Sequence, residues 1–217
     1  SMKIAIALYD RFTALDAIGP YETLSRLPGA EVVFVGCEER IFRTDIGALA
    51  VLAGASFADV DRADVLVVPG GPGTRAMMTD RPLLDWVEKI HATTQWTTSV
   101  CTGSLVLGAA GILKDVDATT HWACMSELAS TGAKPTDERV VVRGKIVTAA
   151  GVSAGIDMGL TLAARIAGED VAKAIQLGIE YDPQPPFDSG SVHKATPETI
   201  GIIAELMRQV ESAHAAA

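Results

Sequence analysis

The stretch Thr97-Thr98-Ser99-Val100-Cys101-Thr102-Gly103-Ser104 decides how this chain is read. Residues 96–100 form a short β-prone run, and residues 104–113 form a small-residue apolar stretch that reads as a buried helix. A small residue, a spacer, a nucleophile, a spacer and a glycine between strand and helix make the pattern of a nucleophile elbow. The tight turn needs small neighbours, here Ser99 and Gly103, and it pushes one side chain out at the carboxyl end of the strand. The helix that follows aims the unpaired N–H groups of its first turn at that side chain. A thiol so placed is expected to have its thiolate stabilised and to act as a nucleophile near neutral pH. The competing reading is a buried structural cysteine, common for this residue type. The elbow predicts strained backbone at Cys101, with φ above zero.

Outward from the elbow, strand-like and helix-like segments alternate. Residues 3–9, 31–36 and 63–69 read as strands, and 15–27 as a helix with Gly19 and Pro20 in its first turn. Asp80, followed by Arg81 and Pro82, caps a helix to about Thr93. Residues 121–130 read as a helix, 139–143 and 145–149 as a hairpin about Gly144, and 153–167 and 169–181 as helices. A proline-rich loop at 182–190 precedes a last helix, with Thr196 as N-cap and Pro197 at its first position. Apolar strands separated by helices predict an α/β sandwich: a mostly parallel sheet with helices on both faces. One domain is expected over 1–217, ending in a frayed tail at Ala215-Ala216-Ala217.

Composition narrows the function classes. The chain has 217 residues, 48% hydrophobic, with 18 Lys and Arg against 27 Asp and Glu for a net charge of −9. An acidic chain without a basic cluster is a poor nucleic-acid binder. No apolar run approaches a membrane span, and the early run at 4–9 is too short for a signal peptide and ends in Asp10 and Arg11. Cys37, Cys101 and Cys124 have neither disulfide nor zinc spacing, which points to a reducing cytoplasm and no metal. Cys37 and Cys124 read as core residues. His91, His193 and His214 read as surface residues without partner spacing.

In parallel sheets ligands bind beyond the carboxyl ends of the strands. Three segments should therefore converge: the turn at Leu15 and Asp16, the loop Pro69-Gly70-Gly71-Pro72-Gly73, and Cys101. Asp16 is either a helix-end residue favoured by the dipole or an acid beside Cys101 whose pKa is raised in a partly dry pocket. The glycine loop is either a plain turn or an oxyanion or substrate cradle built on a backbone N–H. It is a weak phosphate cradle, because the P-loop Lys-Ser/Thr is missing. His121 in Thr119-Thr120-His121-Trp122 is either a base for Cys101 or a structurally hydrogen-bonded residue. Trp122, Tyr181 and Phe187 are either pocket walls or core.

Pro69-Gly70-Gly71, the Ser99-Val100-Cys101-Thr102-Gly103 elbow and Thr119-Thr120-His121 together resemble the ThiJ/PfpI superfamily, relatives of the class I glutamine amidotransferases. The resemblance spans nearly the whole chain and implies a flavodoxin-like fold and a homodimer. Most of that superfamily carries Glu as the acid near the nucleophile, whereas this chain has Asp16 in an Asp-x-x-Gly-Pro context. With Gly151-Val152-Ser153-Ala154-Gly155-Ile156-Asp157 and Ile179-Glu180-Tyr181-Asp182-Pro183-Gln184-Pro185-Pro186-Phe187, this context resembles the isocyanide hydratases. It also resembles the ligand domain of arabinose-operon-type regulators, whose helix-turn-helix domain has no counterpart in these residues. The hydratase resemblance implies Cys101 as nucleophile, Asp16 as general acid and base, Gly71 and Thr102 as substrate-orienting or oxyanion groups, an isocyanide as substrate, and no cofactor. The alternatives are a sensor whose exposed Cys101 oxidises or whose cleft binds a small ligand, and a glyoxalase- or deglycase-like enzyme.

Overall fold

The computed structural model describes residues 1–215, so Ala216 and Ala217 of the expected tail lie outside the described residues, as does the side chain of His214. The strands are β1 Met2–Ala7, β2 Ala30–Gly36, β3 Ile41–Arg43, β4 Ala50–Leu52, β5 Ala55–Ser56, β6 Val65–Val68, β7 Trp96–Val100, β8 Asp117–Ala118, β9 Lys134–Pro135, β10 Val140–Arg143 and β11 Ile146–Ala149. The helices are α1 Ala14–Leu24, α2 Thr74–Met77, α3 Arg81–His91, α4 Gly103–Ala109, α5 Met125–Ser130, α6 Ala154–Ala167, α7 Glu169–Gly178 and α8 Pro197–Ala215, with a 3-10 turn at Trp122–Cys124. By its internal contacts the chain divides into two compact units, Ser1–Glu180 and Tyr181–Ala217. The second unit opens with the proline-rich loop, and in it Thr196 caps α8 by accepting from Thr199 N at 3.2 Å.

The first unit is built on a seven-stranded sheet in the order β10-β11-β7-β6-β1-β2-β5. Every pairing is parallel except the β10–β11 hairpin. Ile4 to Ala7 of β1 and all of β6 are buried, because helices cover the sheet on both sides and leave these strands no wet face. Helices α1, α6 and α7 pack together as one group and α3, α4 and α5 as another, with α1, α6 and α4 resting on the strands of the sheet. Strand β1 pairs with β2 on one flank and β6 on the other. The winding reverses between β1 and β6, and that switch point is where such sheets open a crevice at their carboxyl ends.

Local chemistry explains the elements that follow the expected boundaries. Asp80 caps α3, its Oδ1 accepting from Leu83 N at 3.0 Å. The strand at 96–100 ends at the elbow as expected. Two elements differ. Helix α1 starts at Ala14 and runs through Pro20, which sits in its interior rather than its first turn. The hairpin β3–β4 and the two-residue strands β5, β8 and β9 are too short to show a period in sequence.

Helices α1 and α6 touch closely because small residues face each other. A Cβ added at Gly159 would lie 1.8 Å from Thr23 Oγ1, and one at Gly155 would lie 3.1 Å from Pro20 Cδ. Gly159→Ala should therefore lower unfolding stability by about 1–3 kcal/mol. A urea midpoint equal to wild type, at equal slope, would show that the two helices can part at no cost.

Candidate active site

The site lies within the first unit, where the loops after β1, β6 and β7 meet as expected. Gly70 O accepts from Thr13 N at 2.8 Å, Gly70 N donates to Asp16 Oδ2 at 2.9 Å, and Gly71 N donates to Thr102 Oγ1 at 2.9 Å. These bonds tie the start of α1, the glycine loop and the elbow together.

Cys101 sits in the left-handed region at φ +56°. Such backbone costs on the order of 1–3 kcal/mol and persists only where its surroundings determine it. Here four hydrogen bonds do so. Cys101 N donates to Ala149 O at 3.1 Å and to Ala150 O at 3.0 Å. Its carbonyl accepts from Thr120 Oγ1 at 3.0 Å and Ser104 Oγ at 3.2 Å. Gly103 is required by contact: a Cβ there would stand 2.0 Å from Val68 O. Elbow and β6 can approach this closely only with a bare backbone.

The Cys101 side chain is 5% exposed and Asp16 is fully buried. Two backbone N–H groups, of Val152 and Thr102, reach toward the sulfur and favour the thiolate. Burial opposes them more strongly, and the Asp16 carboxylate adds to it, so the thiol is pushed up. Burial thus works against the thiolate that the helix terminus favours. The helix terminus contributes as argued, but desolvation and a neighbouring acid outweigh it. Asp16 is likewise raised, to about 7, first by burial and slightly by Asp45, against the Gly70 N–H and the Cys101 side chain, which lower it. Its Oδ1 is buried without a hydrogen-bond partner. Two buried weak acids that each shift the other's ionisation titrate as a coupled pair.

The other expected residues sort as follows. Gly71 does not offer its N–H to a ligand, because that N–H is spent on the Thr102 hydroxyl. Thr102 instead presents its own N–H to Cys101. His121 is a structural residue of the 3-10 turn: its Nδ1 accepts from Ala123 N at 3.1 Å, its ring packs on Trp122, and burial lowers its pKa. Cys124 is buried, whereas Cys37 is exposed just after β2 ends, not a core residue. His91 has a partner after all, its Nδ1 lying 2.7 Å from Thr97 Oγ1. Phe187 is 78% exposed, so it is not core. Cys101 offers little of the access that an oxidation sensor requires.

Sequence reasoning missed Val152, Thr120, Tyr9 and Thr74. Val152 carries φ +31°, costly for a β-branched residue, where the chain turns its N–H to the sulfur. The start of α6 behind it is held by Arg139, which bonds Asp157 and donates to Ser153 Oγ at 3.2 Å. Tyr9 ends the first apolar run, and a phenol at the carboxyl edge of a central strand was the available signal. Among the described residues no group of His, Cys, Asp and Glu is placed to hold a metal ion, and no helix is long and apolar enough to cross a membrane.

A buried cysteine on a strand-to-helix elbow, faced by an acid from the first helix, defines a class of parallel α/β proteins organised around a thiol. The chain belongs to the DJ-1/PfpI family, whose model matches residues 2–165. It is 43% identical over 191 residues to the isonitrile hydratase of Pseudomonas putida, covering 88% of this chain and 83% of that protein. A crystal structure of a ThiJ/PfpI family protein from Pseudomonas syringae superposes with a TM-score of 0.91 at 38% identity, covering 98% of this chain and 90% of that one. The deglycase PfpI of Pyrococcus furiosus is 26% identical over 149 residues, 68% of this chain and 89% of that protein.

The raised carboxyl has a consequence for folding. The folded chain keeps the Asp16 proton up to about pH 7, while an unfolded aspartate loses it near 3.8. The stability this contributes is full below about pH 4 and drains away as pH climbs through about 7. Asp16→Asn removes the dependence. Between pH 4 and pH 8 the variant should gain on wild type by up to about 4 kcal/mol of unfolding free energy. Denaturation curves that move in parallel at the two pH values would mean that Asp16 titrates like a free side chain.

Proposed function

We propose that this protein is an isocyanide hydratase, converting an isocyanide and water to an N-substituted formamide. The observation that carries the reading is the pairing of Cys101 and Asp16 as neighbouring buried groups, each with its pKa raised by burial. Isocyanide hydration needs just these two things at one carbon, a nucleophile and a proton. The likeness to the Pseudomonas putida hydratase supports it.

In the reactive form a proton sits on Asp16 and Cys101 is the thiolate, with the Val152 and Thr102 N–H groups facing the sulfur. The sulfur adds to the terminal isocyanide carbon while Asp16 gives that carbon its proton, forming a thioimidate. The Asp16 carboxylate then takes a proton from water as its oxygen adds to the same carbon, and passes that proton to nitrogen. On collapse the hydroxyl proton returns to Asp16, the carbon–sulfur bond breaks, and the formamide leaves with the pair restored. No cofactor enters this cycle. Thr102 serves through its N–H, and Gly71 serves by fixing the Thr102 hydroxyl rather than as an oxyanion donor.

A homodimer in the cytoplasm completes the reading. Support for the dimer comes from apolar surface: Ile41 and Leu52, paired across the β3–β4 hairpin, are 51% and 62% exposed. Sedimentation at micromolar concentration should give twice the 22.7 kDa of one chain.

Mixing the protein with an alkyl or aryl isocyanide should yield formamide, and dicarbonyl or glycated substrates should not turn over comparably. Cys101→Ala and Cys101→Ser should both be inactive while folded, and Cys37→Ala should retain most activity. Asp16→Asn should lose about 10²–10⁴-fold. The acid limb of kcat/KM should rise with pH through about 7, where the doubly protonated pair gives up its first proton. Turnover surviving in Cys101→Ala would end the covalent mechanism.

A further inference from the structure

Tyr9 is buried, has no place in the reaction above, and lies one peptide unit away from Asp16. Its hydroxyl donates to Pro69 O. The N–H of that same peptide, carried by Gly70, donates to Asp16 Oδ2 at 2.9 Å. The Pro69–Gly70 peptide is therefore gripped at both ends, by a phenol on its carbonyl and by the carboxyl on its N–H. A donor on the carbonyl polarises the amide and strengthens its N–H as a donor.

The grip extends back to the nucleophile. Tyr9 OH lies 3.0 Å from Thr74 Oγ1, and Thr74 Oγ1 lies 2.9 Å from Thr102 Oγ1, which accepts from Gly71 N at 2.9 Å. Each hydroxyl has one proton, and counting them sets the direction. Tyr9 spends its proton on Pro69 O, so Thr74 donates to Tyr9. Thr102 then donates to Thr74, the nearer acceptor, since Gly71 O is 3.4 Å away. All bonds run one way, from Gly71 N–H through Thr102, Thr74, Tyr9 and the Pro69–Gly70 peptide to Asp16. Tyr9, Thr74 and Thr102 are all buried, so water does not compete for these protons.

We propose that Tyr9 is a positioning residue, which through the Pro69–Gly70 peptide holds and strengthens the N–H that Gly70 donates to Asp16 and so favours the carboxylate form of that acid. The inference rests on the hydratase reading only for the catalytic use of Asp16. The titratable groups that face Asp16 are Cys101, Asp45 and Tyr9 itself. Burial keeps the phenol neutral, its pKa raised, so it acts as a dipole and not as a charge. Without its hydroxyl, Pro69 O loses its donor, the peptide is freer to turn, and the carboxylate loses part of the partner that lowers it.

The test uses the unliganded protein with 13C-labelled aspartate carboxyl groups, followed by NMR against pH. Asp16 is the resonance that disappears in Asp16→Asn, and in wild type its midpoint is expected at about 7. Tyr9→Phe should move that midpoint up by about half to one pH unit. Thr74→Val, which removes the donor to Tyr9 but leaves the phenol on Pro69, should move it in the same direction by less, and it carries the test if Tyr9→Phe does not fold. A midpoint in Tyr9→Phe equal to wild type overturns the proposal whatever the enzyme does. The hydratase reading stands or falls separately, on formamide from the wild-type protein. Where that activity is present, the acid limb of kcat/KM in Tyr9→Phe should shift together with the NMR midpoint.

Discussion

The left-handed backbone at Cys101 is the constraint from which the rest of the site follows. A strand delivers its last side chains alternately to the two faces of a sheet, where helices bury them. The reversal at φ +56° takes Cys101 out of that alternation and lifts it toward the crevice. The strain is held by bonds from both sides of the sheet edge: the backbone of Ala149 and Ala150, and the hydroxyls of Thr120 and Ser104. Gly103 lets the elbow close on Val68 without a clash. With the elbow seated on β6, the Thr102 hydroxyl falls where Gly71 N–H can reach it, and the glycine loop is fixed in turn.

Burial then sets the chemistry. In water a thiol and a carboxyl would ionise several pH units apart. In the crevice desolvation is the largest cause acting on each, and it raises both. The N–H groups of Gly70, Val152 and Thr102 are fixed dipoles that restore part of the lost hydration without admitting water. A buried acid beside a buried thiol suits a reaction in which a carbon must be attacked and protonated together. The cost appears in folding, where a buried aspartate weakens the protein as pH rises. The apolar core around β1 and β6 offsets it.

What could be read from residue order was whatever depends on near neighbours. The elbow was legible because strand, nucleophile, glycine and helix lie within a dozen residues. The cap at Asp80, the hairpin about Gly144 and the start of α8 at Thr196 were legible for the same reason. Asp16 was legible because a carboxyl after a first strand in such a sheet must end near the switch point. The opposing pulls on Cys101 were only half legible, because a helix N-terminus is visible in sequence, whereas the depth of burial against an acid is not.

The sequence by itself therefore determined the parallel α/β architecture, the elbow, and the two residues proposed for the chemistry. Tertiary structure alone decided how those residues are tuned. Tyr9 meets Pro69 across 60 positions, Thr102 meets Gly71 across 31, and Thr120 meets the Cys101 carbonyl across 19. No periodicity or spacing encodes such meetings. They arise because a parallel sheet brings the carboxyl ends of distant strands to one edge, where buried hydrogen-bonding groups must find one another or pay for lost water.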